Sequence, residues 1–258
     1  MITLYDNPFS PFARKVRMVL DYKGLAFESI DALATCEHEK LLATNTRAEV
    51  PVLIDDRVRI AGSSDIVAYL EDRHPSPPVF PSDPAVRASV RSWERCADTV
   101  FDAIIHDISI WVWPTHQRKD APPAGLVEEG SRDIAKLLAR LEGALGENGY
   151  VCGALSVADF ALFPHLSSLR ALGLGVDPAE HPKAHGWSGR MRTLPAVRKD
   201  LEYVKRAAVE KFAQGKSPYE SEKIVWRGDR IEWLFSKGFH EWWLQELKAG
   251  RVVIPSSM

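Results

Sequence analysis

Cysteine is scarce and scattered in this chain: Cys36, Cys96 and Cys152 are odd in number and far apart, with no Cys-x-x-Cys pair for redox work or zinc. That usage fits a reducing compartment. Long apolar runs are missing too, since none approaches the roughly 20 residues a membrane-spanning helix needs. The opening Met1-Ile2-Thr3-Leu4-Tyr5-Asp6 has neither the basic region nor the apolar core of a secretion signal. The expectation is a cytoplasmic protein without a membrane partner. An excess of one charge is absent as well: 33 Lys and Arg against 35 Asp and Glu leave a formal charge of -2. No overall positive field draws the molecule to nucleic acid. What is present, 258 residues with 45% hydrophobic and 26% charged side chains, is the composition of a folded globular chain. Its length allows one large domain or two modest ones.

Pro75, Pro77, Pro78, Pro81 and Pro84 divide the chain, because no helix continues and no central strand pairs through such a cluster. Before it, strand-type and helix-type runs alternate. Ile2 to Tyr5 reads as a strand, and Phe12, Val16, Val19 and Leu20 follow at the spacing of one helix face. Gly24 stops that helix, and Ala26 to Ile30 reads as a second strand parallel to the first. Val50 to Ile54, the turn Asp55-Asp56-Arg57 and Val58 to Ile60 read as a hairpin, and Ser64 to Arg73 as a closing helix. A small mixed sheet covered by helices is expected over 1-76, with 77-84 as linker.

After the linker, helical spacing dominates. Val86, Val90, Trp93, Ala97, Val100, Ile104, Ile108 and Trp111 predict one long buried helix, ended by Pro114. Ile134, Leu137, Leu138, Leu141 and Leu145 predict a second. Ser156-Val157-Ala158-Asp159 opens a third with a capping-box pattern, which is the reading given to Asp159. Helices from about 184 to 206 complete an all-α bundle over 85-206. The segment 207-258 holds half of the eight tryptophans. Within it, Asp229 to Lys248 predicts one amphipathic helix, with Ile231, Leu234, Phe235, Trp242, Leu244 and Leu247 available for burial.

At the first strand-to-helix turn, Ser10 stands at the N-cap position and Pro11 at N1. Ordinary capping accounts for the pair. So does a second reading, in which free amides, the positive end of the helix dipole and the Ser10 hydroxyl form an anion site. His106, His116 and His165 lack the spacing of metal ligands, and no metal is expected.

Ser10-Pro11-Phe12 with Arg14-Lys15-Val16-Arg17, then Val50-Pro51-Val52-Leu53, then Gly62-Ser63 with Ile66, Tyr69 and Leu70 resembles the glutathione transferase superfamily. So do the proline linker and Leu155-Ser156-Val157-Ala158-Asp159-Phe160. The resemblance runs over about residues 1 to 205. It implies an α/β thioredoxin-like N-terminal domain that binds glutathione, a helical-bundle C-terminal domain that supplies the hydrophobic-substrate pocket, and a homodimer. By that resemblance Ser10 is the catalytic side chain of a Ser-type enzyme, holding the glutathione sulfur as a thiolate for attack on a hydrophobic electrophile. Phe12, Glu49, Val50, Pro51, Gly62, Ser63 and Ser64 join it around glutathione. The Val50-Pro51 bond is cis in the family, and Ser63 holds the γ-glutamyl carboxylate. For Pro51 and Ser63, a strand start and a simple cap stand as alternatives.

Two positions depart from the family. Gly62 stands where an acid usually meets the γ-glutamyl ammonium, and Glu49 stands where lysine is common near the glycyl carboxylate. Arg47, His38 or Lys40 are candidates to offset Glu49. For Gly62 the candidates are Ser64, Asp65, or Glu94 and Asp98 reaching from a second copy. Phe12, Trp111 and Trp113 are candidates for the hydrophobic-substrate pocket, with core packing as the other reading of the tryptophans. The tail reads either as a lid over the bundle or cleft, or as added scaffold or dimer surface. A binding or scaffold protein on this fold, and a thiolytic ether-cleaving or dehalogenating enzyme, are the alternative functions.

Overall fold

A computed structural model describes residues 1–32, 38–47, 49–112, 120–146, 149–212, 224–225 and 228–253. The first part alternates β1 (Ile2–Asp6), α1 (Pro11–Tyr22), β2 (Phe27–Asp31), α2 (His38–Thr44), β3 (Val52–Asp55), β4 (Val58–Ala61) and α3 (Ser63–Arg73). The strands form one mixed sheet in the order β2-β1-β3-β4. β1 and β2 run parallel, joined by α1, while β3 runs antiparallel to both β1 and β4. Leu4 and Leu53 on the sheet, Val16, Val19 and Leu20 on α1, and Ile66, Val67 and Leu70 on α3 are fully buried in one core. The proline cluster is pinned rather than free. Lys23 Nζ donates to the carbonyls of His74 and Pro77 at 2.7 and 2.9 Å, and the Glu71 carboxylate accepts from the Val79 and Phe80 amides.

The second part is helical: α4 (Pro84–Cys96), a π turn (Ala97–Phe101), α5 (Asp102–Val112), α6 (Leu126–Ala144), α7 (Val157–Leu169), α8 (Pro182–Thr193) and α9 (Pro195–Phe212). α7 is buried almost all round, as a central helix must be. Its start is the predicted capping box: the Asp159 carboxylate accepts from the Ser156 and Val151 amides, at 2.9 and 3.0 Å, and from the Trp187 indole at 2.8 Å. Gly130 lets α6 approach α5, since a Cβ there would lie 2.3 Å from the Ile108 Cδ1 atom.

The long helix differs from its expected form. Its axis is continuous from α4 to α5, but the π turn inserts extra backbone per turn and rotates the following residues around the axis. Val100 is consequently 41% exposed, and Val86, in the first turn, is 37% exposed. The other described members of the predicted stripe are buried, except Trp111, which is half-buried.

The tail also differs. Instead of one helix it forms α10 (Gly228–Ser236) and α11 (His240–Lys248), broken at Gly238, whose φ of 85° belongs to the left-handed region. The break shifts the helical phase, so Trp233, Leu234 and Trp243 are buried while Phe235, Leu244 and Leu247 stay exposed. A short parallel pair, β5 (Ile224–Val225) with β6 (Val252–Val253), flanks the two helices. α10 docks on α5 and α6: Arg230 pairs with the buried Asp102 at 3.0 Å, and Asp133 accepts from Lys237 at 2.6 Å and from the Trp233 indole at 3.2 Å. Trp242 lies against Trp111, ring centroids 5.5 Å apart.

Candidate functional site

The sheet register decides what meets what. β1 ends at Asp6, and its neighbour Tyr5 is opposite Val52, the first residue of β3. Val52 in turn pairs with Ala61, the last residue of β4. The loop after β1, the Val50-Pro51 bond before β3 and the Gly62-Ser63 start of α3 therefore converge on one end of the sheet. Gly62 closes the group by donating its amide to the Pro51 carbonyl at 3.4 Å. The Val50-Pro51 bond is cis.

Two helix N-termini open at this end. α1 begins with Ser10 as N-cap, the hydroxyl oxygen accepting from the Ala13 amide at 3.4 Å, and with Pro11 at N1. The Ser10 O–H hydrogen is not used by that bond, because an acceptor role engages only a lone pair. α3 begins at Ser63, which is buried, after a Gly62 whose φ of 96° excludes most other residues. Each N-terminus presents backbone amides and a positive dipole end to whatever occupies the space between them.

Behind α3 lies a charge cluster of which the sequence had offered Ser64, Glu94 and Asp98 as candidates. Lys15, on α1, is fully buried, and its ammonium donates to Glu94 at 2.9 Å, Asp98 at 2.5 Å and Ser64 Oγ at 3.2 Å. Ser64 in turn donates toward Glu94 at 2.9 Å or Asp98 at 3.1 Å. Two carboxylates share the Lys15 ammonium beside the start of α3. Burial pulls the Lys15 ammonium down, but the charges of Asp98 and Glu94 outweigh it and hold Lys15 above its usual value. Burial pushes the Asp98 carboxyl above 3.8 against the pull of Lys15. The two shifts have different causes: neighbouring carboxylates raise Lys15, and burial, helped by the Glu94 charge, raises Asp98. Glu94 and Asp98 reach Ser64 within one chain, so they meet it without a second copy. Lys15 is the residue sequence reasoning missed as a site member. The available signal was its place on the α1 face that also carries Val19, a position where a lysine must find acids to be buried.

Glu49 is also answered within the chain. Arg47 meets it through two bonds of 3.0 Å, so its carboxylate does not stand alone beside Pro51. Lys40 lies on α2, and the side chain of His38 falls outside the described residues. Asp65 Oδ2 would lie 3.2 Å from a Cβ at position 62, so Asp65 stands beside the place of the missing acid.

The remaining candidates are dispersed. Phe12 is half-buried and faces the edge of His165 on α7, centroids 6.2 Å apart. Trp111 packs on tail Trp242, while Trp113 and His116 lie outside the described residues. Neither described cysteine is poised as a thiolate: burial raises the Cys96 thiol, and burial with the nearby Asp159 charge pushes Cys152 up to about 11. Among the described residues, no group of three or more His, Cys, Asp or Glu is placed to hold a metal ion, and no helix is long and apolar enough to cross a membrane.

Comparison with known proteins bears on this geometry. The model of the glutathione S-transferase N-terminal domain matches residues 4–78, and that of the C-terminal domain matches residues 124–190. A probable glutathione S-transferase BZ2 from Zea mays is 31% identical over 214 residues, covering 74% of this chain and 86% of the relative. The FtsZ-localized protein A of Caulobacter vibrioides is 25% identical over 203 residues, covering 76% and 89%. Among solved structures, a glutathione S-transferase from Rhodospirillum rubrum superposes with a TM-score of 0.70 at 28% identity, covering 78% of this chain and 92% of that one. Neither domain model reaches α9 or the tail. With its mixed sheet, cis proline, paired helix N-termini and helical second part, this chain belongs to the glutathione S-transferase family of enzymes.

Proposed function

We propose that the chain binds glutathione across the sheet end described above and uses Ser10 to hold its sulfur as a thiolate for attack on a hydrophobic electrophile. The observation that carries this reading is the convergence of two helix N-termini and a cis Val50-Pro51 bond at one place, with the Glu94 and Asp98 carboxylates gathered on Lys15 behind them. Glutathione offers a matching set of charges. Its sulfur fits the α1 N-terminus beside Ser10, and its γ-glutamyl carboxylate fits the α3 N-terminus at Ser63. Its γ-glutamyl ammonium fits the carboxylates of Asp98 and Glu94 behind Ser64, which would take the place of the acid missing at Gly62. The backbone at Val50 accommodates the cysteinyl unit as a strand partner. Arg47, by neutralising Glu49, removes the repulsion that the glycyl carboxylate would otherwise meet.

The energetics are sufficient without a general base. A thiol near pKa 8.5 must fall by about two units to be mostly ionised at neutral pH, which asks for about 2.7 kcal/mol. A hydrogen bond to a charged sulfur supplies about 1.5–3 kcal/mol, and a helix terminus about 0.3–2 kcal/mol. The thiolate then displaces a leaving group or adds to an electrophilic carbon in a pocket that includes Phe12 and is shared with the helical part, with Trp111 and Trp113 as candidate lining. Serine forms no mixed disulfide, so conjugation or thiolytic displacement is favoured over disulfide reduction. Two copies are expected to form the working dimer, as the resemblance implies.

A second reading, a binding protein on this fold, is supported by the absent acid at Gly62 and by a relative named for its localisation with FtsZ. One titration separates the two. Glutathione is added to the wild type and to Ser10→Ala while thiolate absorbance and conjugation to 1-chloro-2,4-dinitrobenzene are followed. We expect both proteins to bind glutathione and only the wild type to lower its thiol pKa. A wild type that fails to bind glutathione, or binds it with the thiol protonated at neutral pH, overturns the enzymatic reading.

A further inference from the structure

The loop that carries Ser10 is held from below by a buried four-charge assembly. Arg17, one and a half turns into α1, directs Nη1 to both oxygens of Asp6 at 2.6 Å. Its other edge meets Asp200 on α9, Nη2 at 2.6 Å and Nε at 3.1 Å. Arg14 Nε takes the second oxygen of Asp200 at 2.9 Å, Ser29 donates to Asp6 at 2.7 Å, and the Tyr203 ring lies 4.6 Å under the Arg17 guanidinium. All four charged residues are buried, and two arginines balance two aspartates.

The same guanidinium reaches the Ser10 loop. Nη1 donates to the Asn7 carbonyl at 3.4 Å and Nη2 to the Pro8 carbonyl at 3.3 Å. The Asn7 carbonyl also accepts the Ser10 amide at 3.2 Å, while the Asn7 side chain takes the Phe9 amide at 3.0 Å and donates to Asp31 at 3.3 Å. Arg17 and Ser10 thus bond the same oxygen. A rigid planar fork held on two edges by carboxylates has no freedom to let those carbonyls drift.

We propose that Arg17, clamped between Asp6 and Asp200, is a positioning residue for Ser10, which makes α9 a determinant of how well the hydroxyl addresses the glutathione sulfur. The proposal rests on the Ser10 reading above. It goes beyond it because α9 follows residue 190, where the second domain match ends, and because Arg17 and Asp200 touch neither the sulfur nor the electrophile. Stability alone does not explain the assembly, since burying four charges instead of apolar groups of similar size gives little net stability. What it supplies is one fixed geometry at the carbonyls of residues 7 and 8.

Arg17→Lys keeps the charge and loses the fork; Asp200→Asn keeps the shape and loses the charge that orients it. The thiol pKa of bound glutathione and the pH profile of conjugation to 1-chloro-2,4-dinitrobenzene are measured for both. Each variant is expected to raise the thiol pKa by about one unit and to lower kcat about fivefold near pH 6.5, with the deficit shrinking near pH 9 and the KM for glutathione within about twofold. The direction is diagnostic for Asp200→Asn. Losing a negative charge would by field alone lower the thiol pKa, whereas losing position raises it. Val197→Ala, buried on α9 but outside the assembly, is the structural control and should lower the melting temperature without moving the profile. Ser10→Ala/Arg17→Lys should show no shift beyond that of Ser10→Ala.

Profiles of Arg17→Lys and Asp200→Asn that overlay the wild type, or an equal shift in Val197→Ala, overturn the positioning role while leaving Ser10 intact. A Ser10→Ala profile that overlays the wild type removes the Ser10 reading, and the positioning role with it.

Discussion

Replacing Lys15 by Met tests whether the acidic cluster behind α3 is what the structure makes it. The ammonium sits with no solvent exposure between Glu94 and Asp98, so its removal leaves one buried and one half-buried carboxylate converging on Ser64. Breaking a buried pair in this way costs about 3–5 kcal/mol, a large share of the roughly 5–15 kcal/mol total stability of an ordinary domain. The cost must depend on pH. In the wild type the raised Lys15 value means that its contribution is fully present below 10.5 and is lost only as pH rises through the still higher folded value. That contribution is therefore flat between about pH 5 and 8. In Lys15→Met, one carboxyl rises further above its unfolded value and takes up a proton on acidification, so the variant recovers about 1–2 kcal/mol of its deficit at the acid end. Urea titrations at both pH values, on wild type, Lys15→Met and Lys15→Met/Glu94→Gln, measure this. The double variant should be more stable than the single one at the alkaline end, because it removes the charge that Lys15 no longer answers. A deficit below about 1 kcal/mol, an equal deficit at both pH values, or simple additivity with Glu94→Gln would refute the reasoning.

Two further outcomes are expected. Burial opposes ionisation of Asp133, but hydrogen bonds from Lys237, Lys136 and the Trp233 indole outweigh it and hold its pKa at about 2, so its contribution to α10 docking is present above 3.8 and is lost as pH falls toward 2. Pepsin should release the tail increasingly over that window, and Asp133→Asn should release it at a rate that no longer follows pH in this way; matching acid profiles would remove Asp133 as the cause. Arg47→Ala should change stability by no more than about 0.5 kcal/mol, because its pair with Glu49 is partly exposed. If Glu49 faces the glycyl carboxylate, the same variant raises the KM for glutathione several-fold and Arg47→Ala/Glu49→Gln restores it; an unchanged KM in Arg47→Ala places Glu49 elsewhere.

Where the sequence was legible, local chemistry was decisive. Ser10-Pro11 announced a helix start, Val50-Pro51 a strand entry, and Ser156 with Asp159 a capping box, and each formed as its residue types require. The long helix and the tail were harder for the same reason. A π turn keeps a helical period legible on both sides while rotating one against the other, so Val100 reads as core and faces water. In the tail, Gly238 breaks a pattern that apolar residues continue across, and the phase change brings in Trp233 and Trp243 while leaving Phe235, Leu244 and Leu247 outside.

By itself the sequence determined most of the elements, their order and the two helix starts at one end of the sheet, because caps, prolines and apolar spacing act within a few residues. Only the tertiary structure decided which charges meet. Lys15 finds acids 79 and 83 residues away, and Arg17 finds Asp200 after 183, partners that nothing in their own segments names. An ion is stable in a protein interior only when partners from several elements arrive together. Their arrival depends on helix packing, which short-range pattern does not encode.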